Sequence, residues 1–193
     1  MAEALAKLDS APDSDVMTFE LQPVLSGERI ELRPLVPGDW DPLYAVASDP
    51  AIWEQHPISD RWREPAFRAF FDEALESGGA LAALDRSDGR MIGSSRFHGF
   101  DPERSEVEIG WTFLARDRWG GSWNGEMKRL MLDHAFRFVG RVLFLIGPDN
   151  IRSQRAVGKI GAVPSGRTVR SGRESLVFSL GAGDWAARTA AGR

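Results

Sequence analysis

Arg116-Asp117-Arg118-Trp119-Gly120-Gly121-Ser122-Trp123-Asn124-Gly125-Glu126 stands where the hydrophobic period of the chain changes. Before it, Glu106–Leu114 alternates charged or small residues with apolar ones, as a half-buried strand does. After it, residues 123–138 put Met127, Leu130, Met131, Ala135 and Phe138 on one face of a long helix. A glycine-rich turn from strand into helix lets the backbone approach a ligand, and the first N–H groups of the helix lack intrahelical acceptors. With the positive end of the helix dipole these form an anion site. Two named phosphate loops are excluded. A dinucleotide fingerprint wants Gly at 120, 122 and 125, but position 122 is Ser122. A Walker loop wants Lys and then Ser or Thr after Gly125, but Glu126-Met127 follows.

Working outward, residues 29–35 alternate apolar and charged side chains and predict a strand. Residues 39–48, with Asp39 as N-cap, predict a helix. So do residues 64–77, which carry Pro65 early, Phe67, Phe70, Phe71, Ala74 and Leu75 on one stripe, and Gly78-Gly79 at the end. Ala80–Asp85, residues 91–100 and Glu106–Leu114 read as an antiparallel meander, split by Ser87-Asp88-Gly89 and Asp101-Pro102-Glu103-Arg104-Ser105. In the last of these strands, alternation groups Val107, Ile109, Trp111 and Phe113 on one face and Glu106, Glu108, Gly110 and Thr112 on the other. Arg141–Ile146 is almost continuously apolar, as a strand covered on both faces is. Residues 151–160 predict a helix closed by Gly161, and residues 173–180 a final strand.

The order β-α-α-β-β-β-α-β-α-β is that of one α/β domain with a mixed, mostly antiparallel sheet flanked by helices. A strand–helix–strand crossover over residues 106–146 requires one parallel pair. The domain is expected over residues 21–180. Residues 1–20 hold Asp9, Asp13 and Asp15 beside Ser and Pro without a period, and are expected as a mobile tail. Residues 181–193 are expected as a second tail, with Trp185 tucked onto the body.

A chain of 193 residues suits one domain with a real core. It has no Cys, which excludes disulfides, a thiolate nucleophile and Cys-built metal sites. Apolar runs fall short of the ~20 residues of a membrane span, and the acidic, polar start does not read as a signal peptide. The cytosol is the expected compartment, with no membrane partner. Net charge is −4, distributed unevenly. Residues 1–104 carry 10 basic and 20 acidic side chains, a net of −10, and residues 105–193 carry 14 and 8, a net of +6. That balance disfavours nucleic acid as a partner.

The loop and the segment after it, Trp119-Gly120-Gly121-Ser122-Trp123-Asn124 and Glu126-Met127-Lys128-Arg129-Leu130, resemble motif A of the GNAT N-acetyltransferase superfamily. Pro148-Asp149-Asn150-Ile151-Arg152-Ser153-Gln154-Arg155-Ala156-Val157-Gly158-Lys159-Ile160-Gly161 is similar to its motif B. Gly27-Glu28-Arg29-Ile30-Glu31-Leu32-Arg33-Pro34-Leu35 resembles the opening strand of the ribosomal-protein-alanine acetyltransferase branch (RimJ/RimL type). The likeness spans residues 24–180. Against the family pattern, Trp119 replaces Gln or Arg, Ser122 replaces Gly, and Asn124 replaces Gly or Ala.

The resemblance implies a GNAT-like fold with the parallel pair at the acetyl-CoA cleft, acetyl-CoA as co-substrate, and an amine acceptor that is a protein N-terminus or a small amine. It implies a pyrophosphate cradle of Trp119, Gly120, Gly121, Ser122, Trp123, Asn124 and Gly125, with Arg118 and Arg155 as phosphate partners. The pantetheine arm would run along Phe113 and Leu114 and be held by Asn150. Glu108 is the expected base and Ser153 the donor to the thiolate, since the single Tyr, Tyr44, lies far upstream. Trp53, His56, Phe70, His98 and Glu106 are expected on the acceptor side. No His or carboxylate cluster has metal-ligand spacing, so no metal is expected. A homodimer is the family-level expectation for assembly. The acidic first half would then attract a cationic amine and the basic second half the cofactor's phosphates. A second reading stays open, a non-catalytic acyl-CoA-binding or interaction protein on the same fold.

Overall fold

The computed structural model describes residues 18–191. Its elements in chain order are β1 (Leu25–Ser26), β2 (Ile30–Pro34), α1 (Trp40–Ala47), α2 (Pro50–Trp53), α3 (Glu64–Glu76), β3 (Ala80–Asp85), β4 (Met91–Asp101), β5 (Glu106–Leu114), α4 (Trp123–Ala135), β6 (Arg141–Ile146), α5 (Ile151–Lys159), β7 (Val163–Arg170), β8 (Arg173–Gly181) and α6 (Ala182–Ala191). The strands form one sheet in the order β1-β2-β3-β4-β5-β6-β8-β7, antiparallel throughout except for β5 and β6. The α/β class and the single parallel pair are as the sequence predicts.

Each sheet face carries its own core. On β3, Leu81 and Ala83 face the cluster built on Met127, Met131 and Leu132 of α4, while Ala80 and Ala82 face Leu43 of α1 and Phe67, Phe70 and Phe71 of α3. Strict period-2 alternation is why one short strand serves both layers. At about 25 cal/mol per Å² of apolar surface, burying these large side chains on two faces supplies most of the driving force for folding.

β5 departs from the alternation that its sequence suggests. Val107 and Ile109 face the α4 core, but Phe113, of the same parity, faces the α3 core. The cause is a β-bulge. Arg96 pairs with Gly110 and Ser94 with Phe113, so three steps on β5 oppose two on β4, and Trp111 takes up the extra residue at φ 49°. The bulge turns Thr112 toward α4 and puts Trp111 on the other face, beside His98.

Four elements are absent from the sequence reading. β1 and α2 are very short, and α2 is capped by Asp49 accepting from the Ala51 N–H at 3.0 Å. β7 is an edge strand with little burial and hence no hydrophobic period. It joins β8 through Ser171 (φ 49°) and Gly172 (φ 74°), the two positive-φ positions of a tight hairpin. Ala182–Ala191, within the stretch 181–193 read as a tail, form α6, whose Trp185 is buried and donates to Asp133 at 2.8 Å. Residues 1–17 lie outside the described residues. Phe19, also read as tail, is buried among Phe97, Phe100, His134 and Phe138. No helix among the described residues is long and apolar enough to cross a membrane.

Candidate active site

The parallel ladder between β5 and β6 covers only Glu106–Glu108 against Arg141–Leu143, although both strands continue. Beyond it a cavity of 690 Å³ is walled by residues 109–114 of β5 and 144–146 of β6. One end reaches Trp119, Gly120, Gly121, Asn124 and Gly125 at the start of α4, with Arg118, Arg155 and Lys159 beside them. Asn150 and Ser153 of the α5 turn line its side, and Trp53, His56, Arg61 and Trp111 its far end.

The loop is fixed by specific bonds. Trp119 donates its indole N–H to the Leu114 carbonyl at 2.9 Å, and Gly120 adopts φ 74°. Ser122 turns its hydroxyl outward, where it accepts from Arg29, so its side chain stays out of the cavity. Trp123 also lies outside it, with Arg118 stacked on its ring at 4.7 Å. Arg118 forms an ion pair with Asp85 at 3.1 Å, which leaves it only partly free for a ligand. Asn150 caps α5 by accepting from the Ser153 N–H at 3.1 Å, leaving its amide N–H₂ for other partners. Arg152 spans the mouth, stacking on Trp119 at 4.2 Å and donating to the Ile52 carbonyl at 2.8 Å.

Phe113 and Leu114 line the cavity, but each also belongs to one of the two cores. Glu108 is 6% exposed, and both its oxygens accept from Arg170 of β7, at 3.2 and 2.6 Å. Its carboxylate stands behind Gly110, where a Cβ would lie 3.2 Å from Glu108 Oε1, and Gly110 itself lines the cavity. His98 is the cross-strand partner of Glu108 and packs edge-on against Trp111 at 5.1 Å. Phe70 is buried behind the wall against Trp53 and Phe113. Glu106 pairs with Arg141 at 2.6 Å at the far end of the ladder, outside the cavity.

His56 and Arg61 form a unit. Arg61 Nη1 donates to His56 Nε2 at 3.1 Å, which requires a neutral imidazole. Burial first, and the neighbouring Arg61 charge second, push His56 down to about 4. The expectation of an acidic acceptor side is corrected here: Arg61 of the first half lines the far end, and Arg170 and Arg173 approach it from the second. Charge counted along half a chain does not predict charge at a cleft that both halves build.

Sequence reasoning missed Lys128, Arg61, Arg96, Arg170 and Thr112. Lys128 lines the cavity at 5% exposure, donates to Thr112 Oγ1 at 2.5 Å, and lies 5.7 Å from the Phe144 ring centre. Burial lowers it to about 7. Its signal was legible, because position 128 falls three and seven residues before Met131 and Ala135, on the buried stripe of α4.

Residues 29–163 match the family model described as an acetyltransferase (GNAT) domain. Among solved structures, a GCN5-related N-acetyltransferase from Brucella melitensis superposes with a TM-score of 0.77 at 22% identity, covering 88% of this chain and 83% of that one. An acetyltransferase (GNAT family) from Bacillus anthracis gives 0.69 at 18% identity, covering 83% and 99%. A spermidine N-acetyltransferase from Vibrio cholerae, solved with CoA and spermine, gives 0.62 at 12% identity, covering 83% and 99%. At these identities the likeness is one of fold.

Proposed function

The chain belongs to the acetyltransferase (GNAT) domain family, acetyl-CoA-dependent acyltransferases, and from that membership we propose that it acetylates a primary amine, a protein N-terminus or a small molecule. Within the family we assign it to the ribosomal-protein-alanine acetyltransferase branch, on residues 27–35 and 148–161, and to the cytosol. The observation that carries the reading is continuity. One cavity joins the glycine-rich start of α4, the strand segment beyond the β5–β6 ladder and an end walled by Trp53 and Trp111.

The residues present fit a polyanionic thioester. Backbone from Trp119 to Gly125 and the Arg155 guanidinium would hold phosphate groups. Phe113, Leu114 and the free amide hydrogens of Asn150 would hold the arm. Acetyl-CoA supplies the electrophilic carbonyl and the thiolate leaving group. A bulge leaves its extra residue out of the ladder, so the Trp111 backbone, at the cavity wall, is placed to orient that carbonyl. Glu108 takes the amine proton through a water, since Gly110 separates its carboxylate from the cavity and each oxygen keeps a lone pair beside Arg170. The amine nitrogen bonds to the carbonyl carbon, the carbon–sulfur bond breaks, and Ser153 gives its hydroxyl proton to the sulfur, regaining one from solvent as Glu108 releases to solvent the proton it took.

The test is thiol release from acetyl-CoA with an amine panel, beside thermal shift with CoA. CoA should raise the melting temperature, and Glu108→Gln should lower kcat by about 10²–10³ while keeping the CoA shift. No shift at millimolar CoA would overturn the reading.

A further inference from the structure

One guanidinium, Arg61, lines the far end of the cavity, and a second, Arg96, is buried behind the wall against the same aromatic ring. Arg96, on β4, is 2% exposed, and among the described residues its ion pair is with Glu73 at 3.1 Å, a carboxylate whose side chain is 57% exposed. Its Nε and Nη2 are buried with no hydrogen-bond partner among the described residues. An orphaned charged donor in a dry site is costly, and proteins tolerate it chiefly where a ligand or water completes it. Arg61 lines the cavity, and its hydrogen-bond partner there is the neutral His56. Both guanidiniums lie against Phe70, with Arg61 at 4.6 Å and Arg96 at 5.8 Å from the ring centre, and Arg96 also covers Trp111 at 4.5 Å.

The charge count does not close. Glu73 is the principal acid acting on Arg61 as well as on Arg96, with Asp60 a weaker influence on Arg61 and Glu108 on Arg96, while Arg173 adds further positive charge. Glu108 is engaged by Arg170. Four cations, Arg61, Arg96, Arg170 and Arg173, thus face three carboxylates, Glu73, Glu108 and Asp60, which leaves an excess of one cation beside Trp53, Phe70 and Trp111. A planar fork with free N–H groups matches an oxyanion bidentately.

We propose that the acceptor is a compact primary amine that also carries a carboxylate, bound by Arg61 at the cavity wall with Arg96 supporting its charge from behind Trp111. A carboxylate is favoured over a phosphate because a single excess charge balances a monoanion. The aromatic surround gives such an amine an apolar body to fill and excludes extended polycations, whose charge Arg61 and Arg96 would repel. The proposal rests on the acetyl-transfer reading, whose acceptor it specifies.

The experiment uses the full chain with acetyl-CoA and acceptors matched except for the anion. These are free amino acids of each side-chain class, their carboxamides, the amines left by decarboxylation and the corresponding aminophosphonates, with spermidine and an Ala-initiated peptide as further arms. Binding of the free acids to CoA-loaded protein is followed in parallel by calorimetry. The free acid should exceed its carboxamide by about 10²-fold in kcat/KM, because an unfilled charged donor is the main penalty for the analogue. Arg61→Gln should remove most of that preference by raising KM for the acid, and Arg61→Lys should restore part of it.

Equal or better turnover of carboxamides, spermidine or the peptide would overturn the proposal and leave acetyl transfer intact. Preference for the aminophosphonate would overturn the carboxylate assignment. Absence of calorimetric binding by every free acid would also overturn it, since that readout needs no turnover. Failure of CoA to bind would overturn the acetyl-transfer reading instead.

Discussion

The ammonium of Lys128 meets two hydroxyls and an aromatic face, with no carboxylate beside it among the described residues. Nothing there offsets the loss of hydration, and burial alone pulls it from 10.5 to about 7. Between those values the unfolded chain holds a proton that the folded one lacks. Stability therefore rises as pH climbs from about 7 toward 10.5, and the full penalty applies below that window. Lys128→Met fills the same channel with an uncharged chain. It should stabilise the protein by about 2–4 kcal/mol at pH 6 and by much less at pH 10. Urea midpoints at the two pH values check this, and equal gains at both would place the penalty elsewhere.

The bulge on β5 is the element that shapes the cleft, and Gly93 is its counterpart on β4. A Cβ at Gly93 would sit 2.1 Å from the Phe113 carbonyl oxygen, a backbone atom that cannot yield without moving the strand. Gly93→Ala should cost about 2–4 kcal/mol, visible as a lower thermal midpoint. Wild-type stability in that variant would show that the two strands separate there at little cost. The bulge also marks where sequence reading ran out. Strand β5 was legible from its period, but a bulge is one added residue with no composition of its own, so the faces past Gly110 came out exchanged. β7 offered no period because an edge strand buries little, although Ser171-Gly172 was an available turn signal. The loop before α4 was legible because its chemistry is backbone chemistry, which glycine spacing announces. Arg61 and Arg96 were not, since an arginine earns its meaning from what surrounds it, and α3, β4 and β5 meet only after folding.

At the scale of the molecule, the sheet is two blocks joined by a short seam. β1 to β5 with α1–α3 stand on one side, β6 to β8 with α5 on the other, and the ladder between them is three residue pairs long. α4 lies beneath both, with Met127 and Met131 in the core cluster that also holds Ile109 and Phe144. Arg152 and the Glu108–Arg170 pair tie the blocks across the top. These ties come from residues far apart in sequence, which is why the net charge of each half said little about the site.

A three-pair seam has a mechanical consequence. An arm lying along β5 and β6 would act as a removable strand, its amides taking up backbone groups that the sheet otherwise leaves to water. Occupancy would then stiffen the sheet across its width, and each turnover would include one loosening and one re-stitching of the two blocks. Amide hydrogen exchange can follow this directly. CoA should slow exchange not only at residues 109–114 but also on β8, which lies on the far side of β6 from the arm. Protection confined to the wall residues would mean that the seam is already rigid and that release is limited by the ligand's own contacts.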